Sequence, residues 1–275
     1  MPVVHHFAHG VVNPIAAYVL AFVGSLLGLS CTVRARAART RRRRARWLVT
    51  AAFAIGGGIW LMHFMAMLGF DIPDSAVRYD PVITAASAVM AVAVVGAGLF
   101  IAGTGRRNAG KVILGGLFTG IGVAAMHYTG MAAVRVEGDI WYEPRIVGAS
   151  VLIAVAAATV ALWLSVAVRG TGRVITSAAV MGVAVCGMHY TGMAALRVDL
   201  VPGGTEVPGI DPILLILPIV VVTTATLVGL VFSALQTATA EDFAAPQRWN
   251  PLSVQMGTFT GSAHVPESSS VSSHR

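Results

Sequence analysis

Long apolar segments separated by short polar loops dominate this sequence and limit what it can fold into. A run of about 20 apolar residues is long enough to cross the hydrocarbon core of a bilayer as one α-helix. Such runs recur along the chain, so we predict an all-α, polytopic membrane protein with seven transmembrane helices. The predicted spans are residues 12–33, 47–70, 81–102, 112–134, 146–168, 174–196 and 212–234.

The composition supports this class. Hydrophobic residues make up 56% of the chain and charged residues only 11%, and the mean hydropathy is +0.77. A soluble domain usually has about 25% charged residues. The chain is therefore too poor in charge for a typical soluble enzyme or binding domain of its length.

The positive charges are concentrated in alternate loops. Eight arginines fall within residues 34–46, and loops 103–111 and 169–173 are also basic, whereas most acidic residues lie in the opposite loops. Basic loops face the cytoplasm, which predicts an outer N-terminus and a cytoplasmic C-terminus in the plasma membrane. We attribute the net charge of +7 to topology rather than to nucleic-acid binding. The expected surroundings are membrane lipids, with no nucleic acid.

The domain organisation is simple. We assign residues 9–235 to one seven-helix membrane domain and residues 236–275, which end in ESSSVSSHR, to a disordered cytoplasmic tail. A polar, serine-rich segment of this kind buries too little apolar surface to fold alone. The sequence contains no glycine-rich phosphate loop, no zinc-type cysteine spacing and no nucleophile triad motif. We therefore expect no enzymatic activity.

A six-residue motif recurs in three of the spans, as MHFMAM at 62–67 and as MHYTGM at 126–131 and 188–193. Its histidines, His63, His127 and His189, are 64 and 62 residues apart, which indicates an internal repeat of one helical hairpin. Each lies eight residues before the first charge of the following outer loop. At 1.5 Å per residue, each imidazole is about 12 Å below the outer boundary. Three histidines at one depth can converge on one site.

The chemistry of the motif favours copper. Thioether and imidazole are soft and borderline neutral ligands that suit Cu(I) and do not suit calcium or magnesium. At 100° per residue, the methionine at i+4 lies about 40° from its histidine, whereas the preceding methionine is about 100° away. The i+4 methionines are therefore the stronger candidates. The candidate metal ligands are Met62, His63, Met67, Met126, His127, Met131, Met188, His189 and Met193.

At these residues the chain resembles the MHYT domain, a bacterial integral-membrane sensor module. The resemblance covers about residues 9–235, and the first copy departs from the motif at Phe64 and Met65. It implies seven helices and a copper site, formed by the motif's methionines and histidines, that senses a diatomic gas such as O2, CO or NO. Many relatives carry cyclic-di-nucleotide enzyme domains after the membrane part. The sequence contains no such domain, so we expect a separate cytoplasmic signalling partner.

Other interpretations remain open at this point. A membrane copper carrier or metallochaperone would use the same ligands, and a haem protein could use His and Met as axial ligands. In a metal-free bundle, the histidines would instead hydrogen-bond across helices, with Thr129 or Thr191 as partners. Further metal contacts could come from Cys186, on the His189 stripe, and from the N-terminal His5, His6 and His9.

Overall fold

The computed structural model describes residues 10–73, 75–105, 108–201, 207–215, 217–219, 221, 224–225 and 228–229. The described residues form one compact unit. Three sequence predictions concern residues outside the described ranges: the tail at 236–275, most of the seventh span, and the N-terminal histidines His5, His6 and His9. These stay predictions.

Within the described residues, six helices are long and apolar enough to cross a membrane. Their bounds match the first six predicted spans to within a few residues at most ends. The helices are α1 (Val12–Ala37), α2 (Arg41–Met67), α3 (Pro81–Gly103), α4 (Ala109–Ala132), α5 (Pro144–Ala167) and α6 (Thr171–Ala194).

The arginine-rich segment differs most from its prediction as a loop. Only residues 38–40 separate α1 from α2, so most of the arginines lie on helical ends. Arginine is a good helix former, and the Thr40 side chain caps α2 by accepting a hydrogen bond from the Arg43 backbone N–H. The helices therefore continue beyond the apolar spans.

Part of the predicted seventh span is described. A short 3-10 helix covers Pro212–Leu215, and residues 217–219 and 228–229 are helical. The presence of a complete seventh crossing remains a prediction.

The six helices form a closed bundle. Each helix packs against the next along the chain, and α6 also packs against α1. Close approach is possible where glycines face each other: a methyl group added at Gly58 would lie 2.9 Å from the Gly24 Cα. Large apolar side chains such as Ile113, Leu152 and Val183 are exposed on the outside of the bundle. Such a surface suits lipid rather than water, so the chain is a multi-pass membrane protein.

Short antiparallel strands join the predicted outer ends of the helices, where the sequence predicted only loops. β1 (Arg78–Tyr79) pairs with β2 (Val134–Arg135), and β3 (Gly138–Tyr142) pairs with β4 (Leu196–Leu200). β1, β2 and β4 follow α2, α4 and α6, the three helices that carry the repeated motif. The strand pairs therefore fix the relative heights of the motif helices.

An acidic residue followed by proline starts α3, α5 and the short 3-10 helix. This pattern occurs at Asp80, Glu143 and Asp211, because proline fits the first turn, whose N–H groups have no partner inside the helix. The backbone N–H of Asp80 donates to the Ala133 carbonyl at 2.8 Å, and that of Glu143 donates to the Ala195 carbonyl at 2.9 Å. The ends of the motif helices α4 and α6 are thus tied to the starts of α3 and α5.

Asp80 provides a test of this outer layer. The Asp80 carboxylate accepts hydrogen bonds from the Ile83 and Val82 backbone N–H groups and pairs with Arg135 at 3.2 Å. These contacts, the Ile83 bond foremost, hold the pKa of the Asp80 carboxyl below its usual range against a smaller opposing effect of burial. The carboxylate therefore contributes stability at neutral pH that is lost as pH falls through this lowered pKa.

We predict that Asp80→Ala lowers the melting temperature of the purified protein in detergent at pH 7. The difference from wild type should shrink as pH falls below the ordinary aspartate value, because wild-type Asp80 then becomes protonated. The control is Asp139→Ala at an exposed position of β3, which should melt close to wild type. An Asp80→Ala protein that melts like wild type at pH 7 would contradict the assigned role.

Candidate metal centre

Three buried imidazoles meet at the centre of the bundle. They belong to His63 on α2, His127 on α4 and His189 on α6, and each side chain is 1% exposed. The His63 Nδ1 lies 3.1 Å from the His189 Nδ1 and 3.2 Å from the His127 Nδ1. The convergence expected from their equal depth is confirmed. We call these three residues the histidine triad.

The triad has nearly three-fold geometry. Its ring centroids are 4.9, 5.0 and 5.1 Å apart, and the rings cross at 79°, 79° and 90°. Equivalent positions of the three sequence repeats thus surround one axis. A single ligand on that axis would face three equivalent donor atoms.

Hydrogen bonds among the described residues do not satisfy every imidazole nitrogen of His63 and His127. A neutral imidazole has one N–H donor and one acceptor nitrogen, so the His63 Nδ1 makes a normal hydrogen bond to only one of its two neighbours. The Nε2 atoms of His63 and His127 have no hydrogen-bond partner among the described residues. An unsatisfied buried polar group costs about 1–3 kcal/mol. Interhelical hydrogen bonding therefore accounts poorly for this cluster.

The glycines of the motif make room for the imidazoles. A methyl group added at Gly130 would lie 2.4 Å from the His63 Nε2, and one added at Gly192 would lie 2.4 Å from the His127 Nε2. Each of these histidines thus packs against the motif glycine of another motif helix. In the first copy of the motif the equivalent position is Ala66. Neither glycine was predicted from the sequence as part of the site, although their identical place in the two MHYTGM copies was a signal for them.

The aromatic residue after each histidine supports the ring. Tyr128 meets the His127 ring edge to face at 4.9 Å between centroids, and its hydroxyl bonds the Ser150 hydroxyl on α5 at 2.7 Å. Phe64 makes the same ring contact with His63 at 4.7 Å. Phe64, which replaces tyrosine in the first copy, therefore keeps the ring contact with the histidine.

The six candidate methionines are buried. Each has a side chain that is at most 3% exposed, and the six are Met62, Met67, Met126, Met131, Met188 and Met193. Met62 packs in a cluster with Ala17 and Ala21 of α1, and Cys186 packs against this cluster. Neutral thioethers are therefore present in the dry interior on every motif helix.

Thr191 was a candidate hydrogen-bond partner for the histidines. Its hydroxyl donates at 2.7 Å to the Gly187 carbonyl, four residues earlier on its own helix. That donor is therefore directed to its own backbone.

The repeat seen in the triad is also the repeat of a known family. The family model described as "Bacterial signalling protein N terminal repeat", MHYT, matches residues 56–115, 120–178 and 182–246. The chain belongs to the MHYT family. Each matched repeat contains one motif, so each repeat of the family supplies one of the three histidines that surround the axis.

Curated relatives of this MHYT protein are signalling proteins. The bifunctional diguanylate cyclase/cyclic di-GMP phosphodiesterase MucR of Pseudomonas aeruginosa is 38% identical over 226 residues, which is 80% of this chain and 33% of MucR. The cyclic di-GMP phosphodiesterase NbdA of the same organism is 37% identical over 196 residues, 69% of this chain and 24% of NbdA. The signalling protein YkoW of Bacillus subtilis is 31% identical over 171 residues, 58% of this chain and 21% of YkoW.

The chain thus spans a third or less of the length of these relatives. No solved structure matches the chain. The comparisons identify a membrane signalling protein of the MHYT family.

We predict that Gly130→Ala and Gly192→Ala each destabilise the protein by about 1–3 kcal/mol, because the added methyl group overpacks a buried imidazole. The control is Gly187→Ala on α6, where an added methyl group would meet no atom within 4 Å. That change should be stabilising, because alanine is a better helix former than glycine by about 1 kcal/mol. Thermal melting in detergent measures all three. The glycine–imidazole packing would be contradicted if Gly192→Ala and Gly187→Ala shifted the melting temperature equally.

Proposed function

We propose that this protein is a sensor in the bacterial plasma membrane whose histidine triad binds one copper ion, as Cu(I). The observation that carries the proposal is the convergence of three buried imidazoles, in which the His63 Nδ1 lies 3.1 Å from the His189 Nδ1 and 3.2 Å from the His127 Nδ1. Nitrogen ligands that share one tetrahedral ion at about 2.0 Å lie about 3.3 Å from one another. The spacing fits a shared ion without large movement of the rings.

The surroundings favour a soft metal. Imidazole alone accepts zinc, copper, iron and nickel, whereas thioether selects Cu(I). We propose Met67, Met131 and Met193 as the thioethers nearest the triad by helix angle, with Met62, Met126 and Met188 as further candidates. All donors are neutral, so the charge of the ion is the only one that must be desolvated.

A bound Cu(I) would supply an open position for a neutral diatomic ligand such as O2, CO or NO, and a one-electron redox couple. The triad would hold the ion at the centre of the bundle, on three different helices. Because His63 and His127 each pack against a motif glycine of another helix with no spare room, a displaced imidazole must move the neighbouring helix. Packed interiors respond to such small shifts by discrete rearrangement. The triad is therefore suited to convert a local change into helix movement.

The output would be read on the cytoplasmic side. The names of MucR and NbdA assign them cyclic di-GMP synthesis or breakdown. We propose that this chain signals to a cytoplasmic enzyme of cyclic di-GMP turnover, present as a separate partner. The chain's own part in this scheme is sensing, without enzymatic activity.

Two alternatives receive less support. A copper carrier needs ligands along a path, but the space inward of the triad is lined mainly by hydrocarbon, with Met181 and Met188 as the thioethers. A haem would have to fit between its axial ligands, and the Nδ1 atoms of His63 and His127 are already 3.2 Å apart. A resident metal ion fits the geometry better than either.

We predict that purified wild-type protein, reconstituted anaerobically with Cu(I), retains about one copper per chain after a competing chelator is applied. Replacing His127 and His189 together by Ala should abolish retention while the protein still inserts into the membrane, because only one triad ligand remains. Elemental analysis by mass spectrometry gives the metal content, and zinc loading is measured in parallel. Retained stoichiometric copper in the double variant would exclude the triad as the site.

The thioether contribution has its own test. Met131→Leu keeps the side-chain volume but removes a soft ligand, so we expect about a 10-fold weaker Cu(I) affinity in chelator competition. Met65→Leu is the matched control, since Met65 lies outside the candidate set. Equal Cu(I) affinities of the two variants would remove Met131 from the site.

Orientation is tested by labelling single cysteines on intact cells, in a background with Cys31 and Cys186 changed to Ala. Asp139→Cys should react with a membrane-impermeant maleimide, because β3 is assigned to the outer side. Arg39→Cys, between α1 and α2, should react only after lysis. The reverse pattern would overturn the proposed topology.

A further inference from the structure

An apolar cavity of about 60 Å³ lies among all six helices. Ile59, Val123 and Val185 line it, and each lies four residues before a triad histidine. Residues four apart share one helix face, about 6 Å apart along the axis. The cavity therefore begins about one helical turn inward of the triad.

A second tier of lining residues repeats the pattern. Ile55, Thr119 and Met181 also line the cavity, and each lies eight residues before a triad histidine. This tier is about 12 Å from the histidines along the helices. The faces of α2, α4 and α6 that carry the triad thus also line the cavity, together with residues of α1, α3 and α5.

The lining suits an apolar occupant. Among the described residues that line it, only Ser25 and Thr119 have polar side chains and none is charged. The Thr119 hydroxyl is buried and has no hydrogen-bond partner among the described residues. A buried water makes about three hydrogen bonds, and apolar cavities in proteins stay dry while they accept small apolar molecules such as xenon. Water is therefore a poor occupant here.

The size of the cavity limits its ligand. A single water needs about 10–15 Å³ by this measure, so a volume of about 60 Å³ holds a molecule of a few atoms and is too small for a haem. Small side chains on α5 leave this space: Ala154, Ala157, Ala158 and Ala161 all line it. A larger residue at these positions would fill it.

We propose that this cavity binds a small, uncharged, apolar gas molecule one helical turn from the histidine triad, on the triad's inward side. The identification of the occupant as the sensed gas rests on the proposed function. Binding of an apolar atom in the cavity needs no metal. The cavity site and the copper site can therefore be disproved independently.

The experiment uses xenon as the probe, with the full-length protein in detergent under xenon pressure. Anomalous diffraction or 129Xe NMR should show one bound xenon, bounded by Ile59, Val123 and Val185. Ala158→Phe should fill the cavity and abolish that signal, and Ala157→Leu provides a second, smaller filling. The matched control is Ala156→Phe at an exposed position of the same helix, which should keep xenon as wild type does.

Copper content is measured on the same samples. Xenon bound in wild type and lost in Ala158→Phe or Ala157→Leu supports the cavity site, whatever the copper content. Xenon binding in a protein that takes up no copper would leave the cavity site standing and overturn the metal sensor. Copper binding without xenon in wild type, or an unchanged xenon signal in both filled variants, would overturn the cavity site.

Discussion

Burial of the three imidazoles of the histidine triad costs free energy, and much of the local structure serves to hold them together. Their Nδ1 atoms face one another, and the Nε2 atoms of His63 and His127 lack hydrogen-bond partners among the described residues. A hydrocarbon environment makes such groups costly. A cation on the axis would accept the Nδ1 lone pairs, which the imidazoles cannot share among themselves, and would leave the Nε2 atoms as N–H groups.

The internal repeat explains how a chain of this length builds such a site. Each repeat supplies one histidine and an aromatic ring beside it, and two of the three supply a glycine that receives another repeat's imidazole. The strands and the acid–proline helix starts then hold the ends of the motif helices at one level. The repeated unit therefore supplies both the residues of the triad and the strands and helix starts that position them. The cavity inward of the triad follows the same repeat through residues four and eight positions earlier.

Much of this was predictable from the sequence. The lengths of the apolar runs predicted six helices close to their observed bounds, and the spacing of charges placed His63, His127 and His189 at one depth. The paired strands were missed, since segments such as Arg78–Tyr79 are too short for a periodic pattern. The partners of Gly130 and Gly192 were missed because a sequence shows where a glycine lies but not which side chain of another helix faces it. The methionines remain the least determined part, because a flexible thioether adopts several directions from one helix position.

The most direct test of the account is X-ray absorption spectroscopy at the copper edge on the Cu(I)-loaded wild-type protein. The account predicts a first shell containing imidazole nitrogens at about 2.0 Å with the outer-shell scattering of about three rings, and a sulfur shell at about 2.3 Å. A spectrum with no imidazole scattering, or a protein that retains no copper, would contradict it. The triad would then have to be explained by protons and packing alone.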